Sequence, residues 1–238
     1  MKPRFFVSQQ LPEKGFFILK DRDVSHQLKN VLRLRAGERV VLLDNSGYEY
    51  ECAVSDIKNR EAGMEVIERR EIGNQGIELA LYQSVIKKDK MEWVFQKCTE
   101  IGAAKFVPVI SAHSVKLGVN LKRSEIIIKE AAEQSGRSKL PVLFDPVSFG
   151  NAIEIAKNSG GLNILAHNIG DHVSLKYFCE RKDLPLSINL FIGPEGGYSE
   201  EEVSLAREND FQIVSLGKRI LRAETAAIAA SYFLIAQK

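Results

Sequence analysis

Apolar and polar positions in the first 70 residues follow the pattern of short strands separated by turns. Arg39–Asp44 is a short apolar run, Tyr48–Ile57 alternates apolar with polar residues, and Gly63–Arg69 reads as a third strand. Asn45–Gly47 supplies a turn signal between the first two runs. Several short strands in a segment of this length predict a small β-barrel.

One short helix is predicted to interrupt these strands, because apolar residues recur there at helical spacing. Its buried face would be formed by Val24, Leu28 and either Val31 or Leu32, with Asp21 or Asp23 as the N-cap. Farther on, Arg33 and Arg35 alternate, so on a strand they would share one face.

The remainder of the chain alternates predicted strands with predicted helices, which favours an α/β fold around a mainly parallel sheet. The strand predicted at Leu186–Ile192 is almost continuously apolar, as in a sheet covered on both faces. The other predicted strands are Ile77–Val85, Lys105–Ile110, Leu162–Ala166 and Gln212–Leu216. The predicted helices are Met91–Ile101, Arg123–Gln134, Ala152–Lys157, Val173–Glu180, Ser199–Glu208 and Ala223–Gln237.

Composition narrows the class of protein only a little. The 238 residues are 45% hydrophobic and 27% charged, and no apolar run approaches the roughly 20 residues that span a bilayer. The N-terminus lacks the apolar core of a signal peptide, so we expect a cytoplasmic protein. Three separated cysteines and four histidines without metal-ligand spacing indicate neither a disulfide framework nor a metal site.

Charge is distributed unevenly, although the net charge is only +2. Residues 1–40 contain nine Lys and Arg against four Asp and Glu, whereas residues 41–75 contain four against eight. Such asymmetry is typical of a one-sided basic face that binds nucleic acid. Ordinary surface solvation explains the same pattern, and on charge alone it is the better interpretation.

Two loops near the C-terminus carry the strongest sign of chemistry, because each follows a predicted strand and ligands bind at the carboxyl ends of parallel strands. The first, Gly193–Tyr198, is rich in Gly and precedes a capping box of Ser199 and Glu202. The second, Leu216–Thr225, contains three cations, Lys218, Arg219 and Arg222. Each loop also has a purely structural interpretation. The first would be a tight connection between a strand and a helix, and the second would be the first turn of a helix with solvated basic side chains.

The motifs of several common enzyme classes are absent from the sequence. There is no GxGxxG, GxxxxGK[ST] or GxSxG motif, so neither a dinucleotide or P-loop site nor a Ser-based hydrolase is supported.

Taken together, the loops resemble those of the knotted SPOUT methyltransferases. The resemblance is closest to the family that methylates N3 of a uridine in small-subunit (16S) ribosomal RNA. Ala223 stands where that family more often has Thr. The segments that carry the resemblance are Arg4-Phe5, His26–Arg33, Lys97–Gly102, Ala132–Arg137, Ile192–Tyr198 and Leu216–Ala226.

This resemblance implies a PUA-like, RNA-binding β-barrel over residues 1–72 and a SPOUT domain with a deep C-terminal trefoil knot over residues 73–238. It also implies a homodimer that uses S-adenosylmethionine and no metal. The donor would be held largely by backbone groups of Leu165, Ala166, His167, Ile192, Gly193, Pro194, Gly196, Gly197, Leu216, Gly217, Ile220, Leu221, Arg222 and Thr225.

The implied reaction needs removal of the N3 proton and stabilisation of the anionic ring. Arg222 is the candidate partner for a ring oxygen or phosphate, and Glu195 and Glu224 are candidates for accepting the proton or orienting that arginine. The candidate RNA contacts are Arg4, His26, Arg33 and Arg35 on the barrel and Gln134 and Arg137 on the second domain.

Two other functions remain open from the sequence. One is a non-catalytic RNA-binding or ribosome-assembly protein. The other is a related knotted enzyme that methylates ribose 2′-oxygen or guanine. The intact loops favour catalysis, and the order of domains favours the uridine-N3 family.

Overall fold

A computed structural model describes residues 2–58, 61–73, 76–115, 118–168, 173–180 and 184–237. The chain divides into two compact units. The first comprises Met1–Asn74 together with Ala132–Leu140, and the second comprises Gln75–Ala131 together with Pro141–Lys238. The segment 132–140, which the sequence analysis placed in the second domain, is therefore grouped with the first unit.

The first unit contains, among its described residues, five strands and one short helix. The helix runs directly into a π-helical turn, in which each backbone bond spans five residues instead of four. The strands are β1 (Arg4–Phe6), β2 (Gly15–Leu19), β3 (Arg39–Leu43), β4 (Tyr48–Ile57) and β5 (Ala62–Glu71), and the helix α1 (Arg22–His26) precedes the π turn Gln27–Val31.

These strands form a mixed sheet in the order β1-β3-β4-β5-β2. The pair β1–β3 is parallel, and the other neighbours are antiparallel. The three strands predicted in this region are confirmed, whereas β1 and β2 were not predicted. The sheet is buried on both faces around β3: Val40 and Leu42 contact the core that includes Leu28, and Val41 and Leu43 pack with Ala132.

Two hydrogen bonds explain why the segment 132–140 belongs to this unit. The backbone N–H of Phe6 donates to Glu133 Oε1 at 2.8 Å, and the N–H of Leu140 donates to Asn45 Oδ1 at 2.7 Å. Both bonds join residues far apart in the sequence, so no local pattern indicated them.

The second unit is an α/β fold, as predicted. Its described strands are β6 (Glu78–Ser84), β7 (Lys105–Ile110), β8 (Val142–Leu143), β9 (Val147–Ser148), β10 (Leu162–Ala166), β11 (Ser187–Ile192) and β12 (Gln212–Val214). Its described helices are α2 (Lys88–Ile101), α3 (Leu121–Ser135, of which residues from Ala132 onward belong to the first unit), α4 (Phe149–Ser159), α5 (Leu175–Glu180), α6 (Glu200–Glu208) and α7 (Ala223–Ile235).

Its strands run in the order β12-β10-β11-β6-β7-β8, with β9 also paired to β7, and every described pair is parallel. Alternate residues of β6 face opposite layers. Leu79 and Leu81 pack with apolar residues of α2, α5 and α7, whereas Ala80 and Tyr82 pack with those of α4 and α6. Burial on both faces accounts for the continuous apolar runs in the sequence. No helix of the described ranges is long and apolar enough to span a bilayer.

Candidate functional site

Three adjacent parallel strands, β12, β10 and β11, end at the same edge of the second sheet. The segments that follow them enclose a cavity of about 420 Å³. A cavity of this size is typical of a small-molecule or cofactor site. The two loops singled out in the sequence both contribute lining residues. The first loop is Gly193–Tyr198, and the second loop is taken as Leu216–Arg222, because the rest of the predicted segment Leu216–Thr225 forms the start of α7.

Most of the residues predicted to hold a donor line this cavity. They are Ala166, His167, Ile192, Gly193, Pro194, Gly196, Gly197, Leu216, Ile220, Leu221 and Arg222. Three others do not line it: Leu165 is fully buried in the sheet, and Gly217 and Thr225 are exposed. Five further lining residues were not among the predicted donor contacts: Asn168, Glu195, Tyr198, Ala223 and Ala226.

The first loop is fixed by several contacts. The N–H of Gly197 donates to the carbonyl oxygen of Pro194 at 2.9 Å, which closes a tight turn. The predicted capping box is confirmed, because Ser199 Oγ accepts from the N–H of Glu202 and Glu202 Oε2 accepts from the N–H of Ser199. This box joins the loop to the start of α6.

Packing and backbone conformation within this loop favour glycine. A Cβ on Gly193 would lie 3.3 Å from the ring of Tyr198, and one on Gly196 would lie 3.0 Å from Cβ of His113. Gly197 has φ +73°, a conformation that favours glycine. Burial raises the pKa of Tyr198 far above its ordinary value, so its hydroxyl stays protonated beneath the loop.

A segment after β7 holds the first loop from outside. His113 Nδ1 lies 3.1 Å from the carbonyl oxygen of Gly197, and because a carbonyl oxygen only accepts, Nδ1 carries the proton in this contact. The N–H of Ala112 donates to Glu202 Oε1 at 2.8 Å. No role for His113 was predicted from the sequence, because only the fold brings His113 and Gly197, 84 positions apart, together.

The second loop is held mainly by Asn168. Its Nδ2 donates to the carbonyl oxygen of Arg219 at 3.0 Å, and its Oδ1 accepts from the N–H of Leu216 at 3.3 Å. Beyond these contacts the loop is open to solvent: Ile220 is 92% exposed although it lines the cavity. Asn168 directly follows the predicted donor segment that ends at His167, and this adjacency was the only signal that could have indicated it.

The three predicted catalytic residues differ in their placement. Arg222 and Glu195 both line the cavity and are exposed. Glu224 does not line it: this carboxylate is 8% exposed, and its Oε1 lies 3.3 Å from Nζ of Lys90. This pairing corrects the prediction for Glu224, because a buried carboxylate bonded to an ammonium outside the cavity is poorly placed to accept a substrate proton.

The lining suits a ligand with both apolar and polar parts. Ile192, Leu216 and Leu221 supply apolar surface. Among the described residues, the backbone N–H groups of Gly196 and Leu221 have no hydrogen-bond partner within the chain. Free N–H groups beside an apolar wall fit a ligand that combines a purine with carboxylate and hydroxyl groups.

The predicted RNA-binding residues all lie in the first unit. His26, Arg33 and Arg35 are exposed. Arg33 and Arg35 lie on no strand, since Arg33 has φ 54°, so the prediction that they share a strand face is wrong.

The other three predicted RNA contacts lie on or near β1 and the segment 132–140. Arg4 is ion-paired with Glu49, with 3.3 Å between Nε and Oε1. Gln134 is exposed. Burial lowers the pKa of Arg137 to about 10, so this guanidinium is still cationic at neutral pH.

Comparison with known proteins defines the class of protein. The profile of the "RNA methyltransferase domain" family matches residues 74–235, and that of the "RNA methyltransferase PUA domain" family matches residues 19–62. The chain is therefore an RNA methyltransferase with an N-terminal PUA domain, and the expected α/β fold with a PUA-like domain is confirmed.

Relatives narrow this class further. Ribosomal RNA small subunit methyltransferase E of Bacillus subtilis is 32% identical over 95% of this chain and 93% of its own length. The protein of that name from Synechocystis is 35% identical over 86% and 68%. The crystal structure of the Neisseria gonorrhoeae protein bound to S-adenosylmethionine has a TM-score of 0.86 at 30% identity, covering 97% of this chain and 95% of its own. The chain belongs to the ribosomal RNA small subunit methyltransferase E family.

Proposed function

We propose that this protein transfers a methyl group from S-adenosylmethionine to N3 of a uridine in 16S ribosomal RNA. The cavity between the two loops carries this proposal, together with the family to which the chain belongs. S-adenosylmethionine supplies a methyl group that is already activated by the sulfonium. The chain's own tasks are to hold the donor, to position the uridine and to manage the N3 proton.

The donor-binding part of the proposal rests on the shape and chemistry of the cavity. The first loop provides a fixed wall, and the free N–H groups of Gly196 and Leu221 can donate to polar atoms of the donor. Ile192, Leu216 and Leu221 offer apolar surface to its purine. The structure of a Legionella pneumophila methyltransferase in complex with S-adenosylmethionine, at 27% identity and a TM-score of 0.87, supports the same assignment.

Arg222 and Glu195 are the proposed catalytic residues. Uracil N3 is a poor nucleophile until its proton is lost, and loss of that proton leaves negative charge on the ring oxygens. Arg222 donates to a ring oxygen and stabilises this charge, because its guanidinium is a permanent cation at the cavity wall. Glu195 accepts the proton, since it is the carboxylate among the described residues that line the cavity.

The target uridine must be unpaired, because N3 lies on the Watson–Crick edge of the base. The PUA domain would select the RNA by its shape, with His26, Arg33 and Arg35 contacting phosphates. We also propose that the chain forms the trefoil knot and the homodimer expected from the resemblance, and that it acts in the cytoplasm. Tyr232, which is 64% exposed on the apolar helix α7, is a candidate for the dimer contact.

Nucleoside mass spectrometry tests the reaction. The purified protein is incubated with S-adenosylmethionine and either unmodified 16S rRNA or small subunits, and the RNA is digested to nucleosides. We expect 3-methyluridine and no product when the donor is omitted. Detection of a 2′-O-methylated nucleoside or a methylguanine would show that the protein methylates ribose or guanine, as a related enzyme would, and not N3 of uridine. No methylated nucleoside on either substrate would contradict the proposal.

A further inference from the structure

The helix in the first unit turns two large apolar side chains toward solvent. The spacing of Val24 and Leu28 predicts that Val31 or Leu32 continues the buried face, but this prediction is wrong. Val24 and Leu28 are 2% and 0% exposed, whereas Val31 and Leu32 are 67% and 40% exposed. Val31 lies within the π turn, whose wider spacing rotates its side chain away from the face that α-helical periodicity would bury.

The corner formed by residues 26–35 is well defined. The N–H of Leu32 donates to the carbonyl oxygen of Gln27, and the N–H of Leu34 donates to that of Leu28, both at 2.9 Å. Leu34 packs against the core of this unit. Arg33, with φ 54°, has a left-handed conformation that is strained for a residue with a Cβ and persists only where neighbouring contacts impose it. The backbone that carries the exposed apolar pair is therefore anchored by these contacts.

The cations of this corner differ from those on the sheet. Within the described part of the chain, the exposed side chains of His26, Arg33 and Arg35 have no ion-pair partner. By contrast, Arg39 Nη1 lies 2.8 Å from Oε1 of the buried Glu51, and Arg4 is paired with Glu49. Arg4 and Arg39 of the sheet are thus paired with carboxylates. At the corner the Glu38 carboxylate accepts from the backbone N–H of Arg35 at 2.7 Å, and among the described residues the guanidinium groups of Arg33 and Arg35 stay available to an anionic partner.

We propose that this corner binds an unpaired segment of the substrate RNA, with Val31 and Leu32 packed against base faces and the flanking cations on phosphates. The inference deepens the proposed function, since it rests on RNA being the substrate. Single-stranded RNA offers both groups that the corner requires, because its bases expose apolar faces and its backbone is anionic. A helical RNA buries those base faces in the stack and offers phosphates alone.

The experiment separates the apolar contact from the ionic one by measuring RNA affinity against salt concentration. The full-length variants are Val31→Ser/Leu32→Ser, Arg33→Ala/Arg35→Ala and Ile67→Ser. Ile67 is the matched control, because it is an apolar residue of the same unit with an exposure of 43%, close to that of Leu32. The probes are small ribosomal subunits, unmodified 16S rRNA transcript, a short single-stranded fragment of it, and the same fragment annealed to its complement.

The Val31/Leu32 variant is expected to bind single-stranded RNA about tenfold more weakly at every salt concentration, with an unchanged slope of log affinity against log salt. The Arg33/Arg35 variant should lower the magnitude of that slope by about 0.7 per lost contact. The Ile67 variant should bind like the unmodified protein. On duplex RNA the apolar variant should lose nothing.

Wild-type affinity of the Val31/Leu32 variant for single-stranded RNA would overturn the inference, as would an equal loss on duplex RNA or in the Ile67 variant. Loss of binding to small subunits with unchanged binding to naked RNA would assign the corner to a ribosomal protein instead. The near-isosteric Val31→Thr change guards against misfolding, and we expect it to weaken binding about threefold. These readouts measure binding, so they remain informative even if no 3-methyluridine is formed.

Discussion

The two loops that enclose the cavity are held in different ways. The first loop, Gly193–Tyr198, is closed by its own turn, anchored to α6 by the capping box and contacted from outside by His113. The second loop, Leu216–Arg222, is held chiefly by the two hydrogen bonds of Asn168. Ile220 of this second loop is 92% exposed.

This difference suggests a division of tasks between the loops. A loop fixed at several points costs little to order when a ligand binds, and it suits a donor of constant shape. A loop with few internal contacts and three cations suits a large anionic substrate that covers it on binding. We therefore expect each single substitution in the contacts of the first loop to lower donor affinity only slightly. Loss of a single side chain in or beside the second loop should lower turnover or donor affinity strongly.

The largest effect is expected at Arg222. Replacing it with Ala should lower the turnover number by about 10²–10³-fold, because the anionic ring loses a charged hydrogen-bond donor. Affinity for S-adenosylmethionine should change by less than about threefold if, as we propose, the donor is held mainly by backbone groups. Single-turnover methylation and calorimetric donor binding measure the two quantities.

Arg219→Ala is the matched control, because this cation lies in the same loop and only its carbonyl oxygen contacts Asn168. It should lower turnover by no more than about tenfold. Equal losses in the two variants, or a loss of donor affinity as large as the loss of turnover at Arg222, would remove the proposed role of Arg222.

What the sequence could predict depends on how local each feature is. The capping box of Ser199 and Glu202 was predictable, because its residues are three positions apart and satisfy each other. The strand ends were predictable, because buried parallel strands leave continuous apolar runs. Asn168 and His113 could not be assigned, since Asn168 reaches Arg219 across 51 positions and His113 reaches Gly197 across 84.

The wrong prediction for Val31 and Leu32 and the missed strand β1 also concern features that local sequence patterns do not show. The apolar spacing of Val24 and Leu28 is local, and both residues are buried as predicted. The π turn that exposes Val31 departs from α-helical spacing, and a pattern of apolar residues interpreted with that spacing does not indicate it. The short strand β1 was missed for a related reason, because three residues are too few to display a period.

The second prediction concerns the anchor of the second loop. Asn168→Ala removes both side-chain hydrogen bonds that fix the backbone of Leu216 and Arg219, so we expect donor affinity to fall about tenfold and turnover to fall with it. Titration of S-adenosylmethionine measures the affinity. Asn151→Ala is the control, since Asn151 is an exposed residue of α4 that does not line the cavity. An unchanged donor affinity in the Asn168 variant would show that the loop needs no such anchor.

A smaller effect is expected at His113. His113→Ala removes one of several contacts on the first loop, so donor affinity should fall about threefold. His113→Asn offers an amide donor in place of Nδ1–H and should restore part of that loss. A tenfold loss in the Ala variant would indicate that the first loop depends on a single contact as strongly as the second loop does, and the comparison between the loops would fail.

The smallest functional effect is expected at Ser199. Ser199→Ala and Ser148→Ala each remove the side-chain N-cap of a helix, α6 and α4 respectively. Each should lower the free energy of unfolding by about 1 kcal/mol, measured by denaturant titration. Only the Ser199 cap adjoins the cavity, so only that variant should also weaken donor binding, by about twofold. Equal weakening in both would mean that lost stability, and not the fixed shape of the first loop, controls how tightly the donor is held.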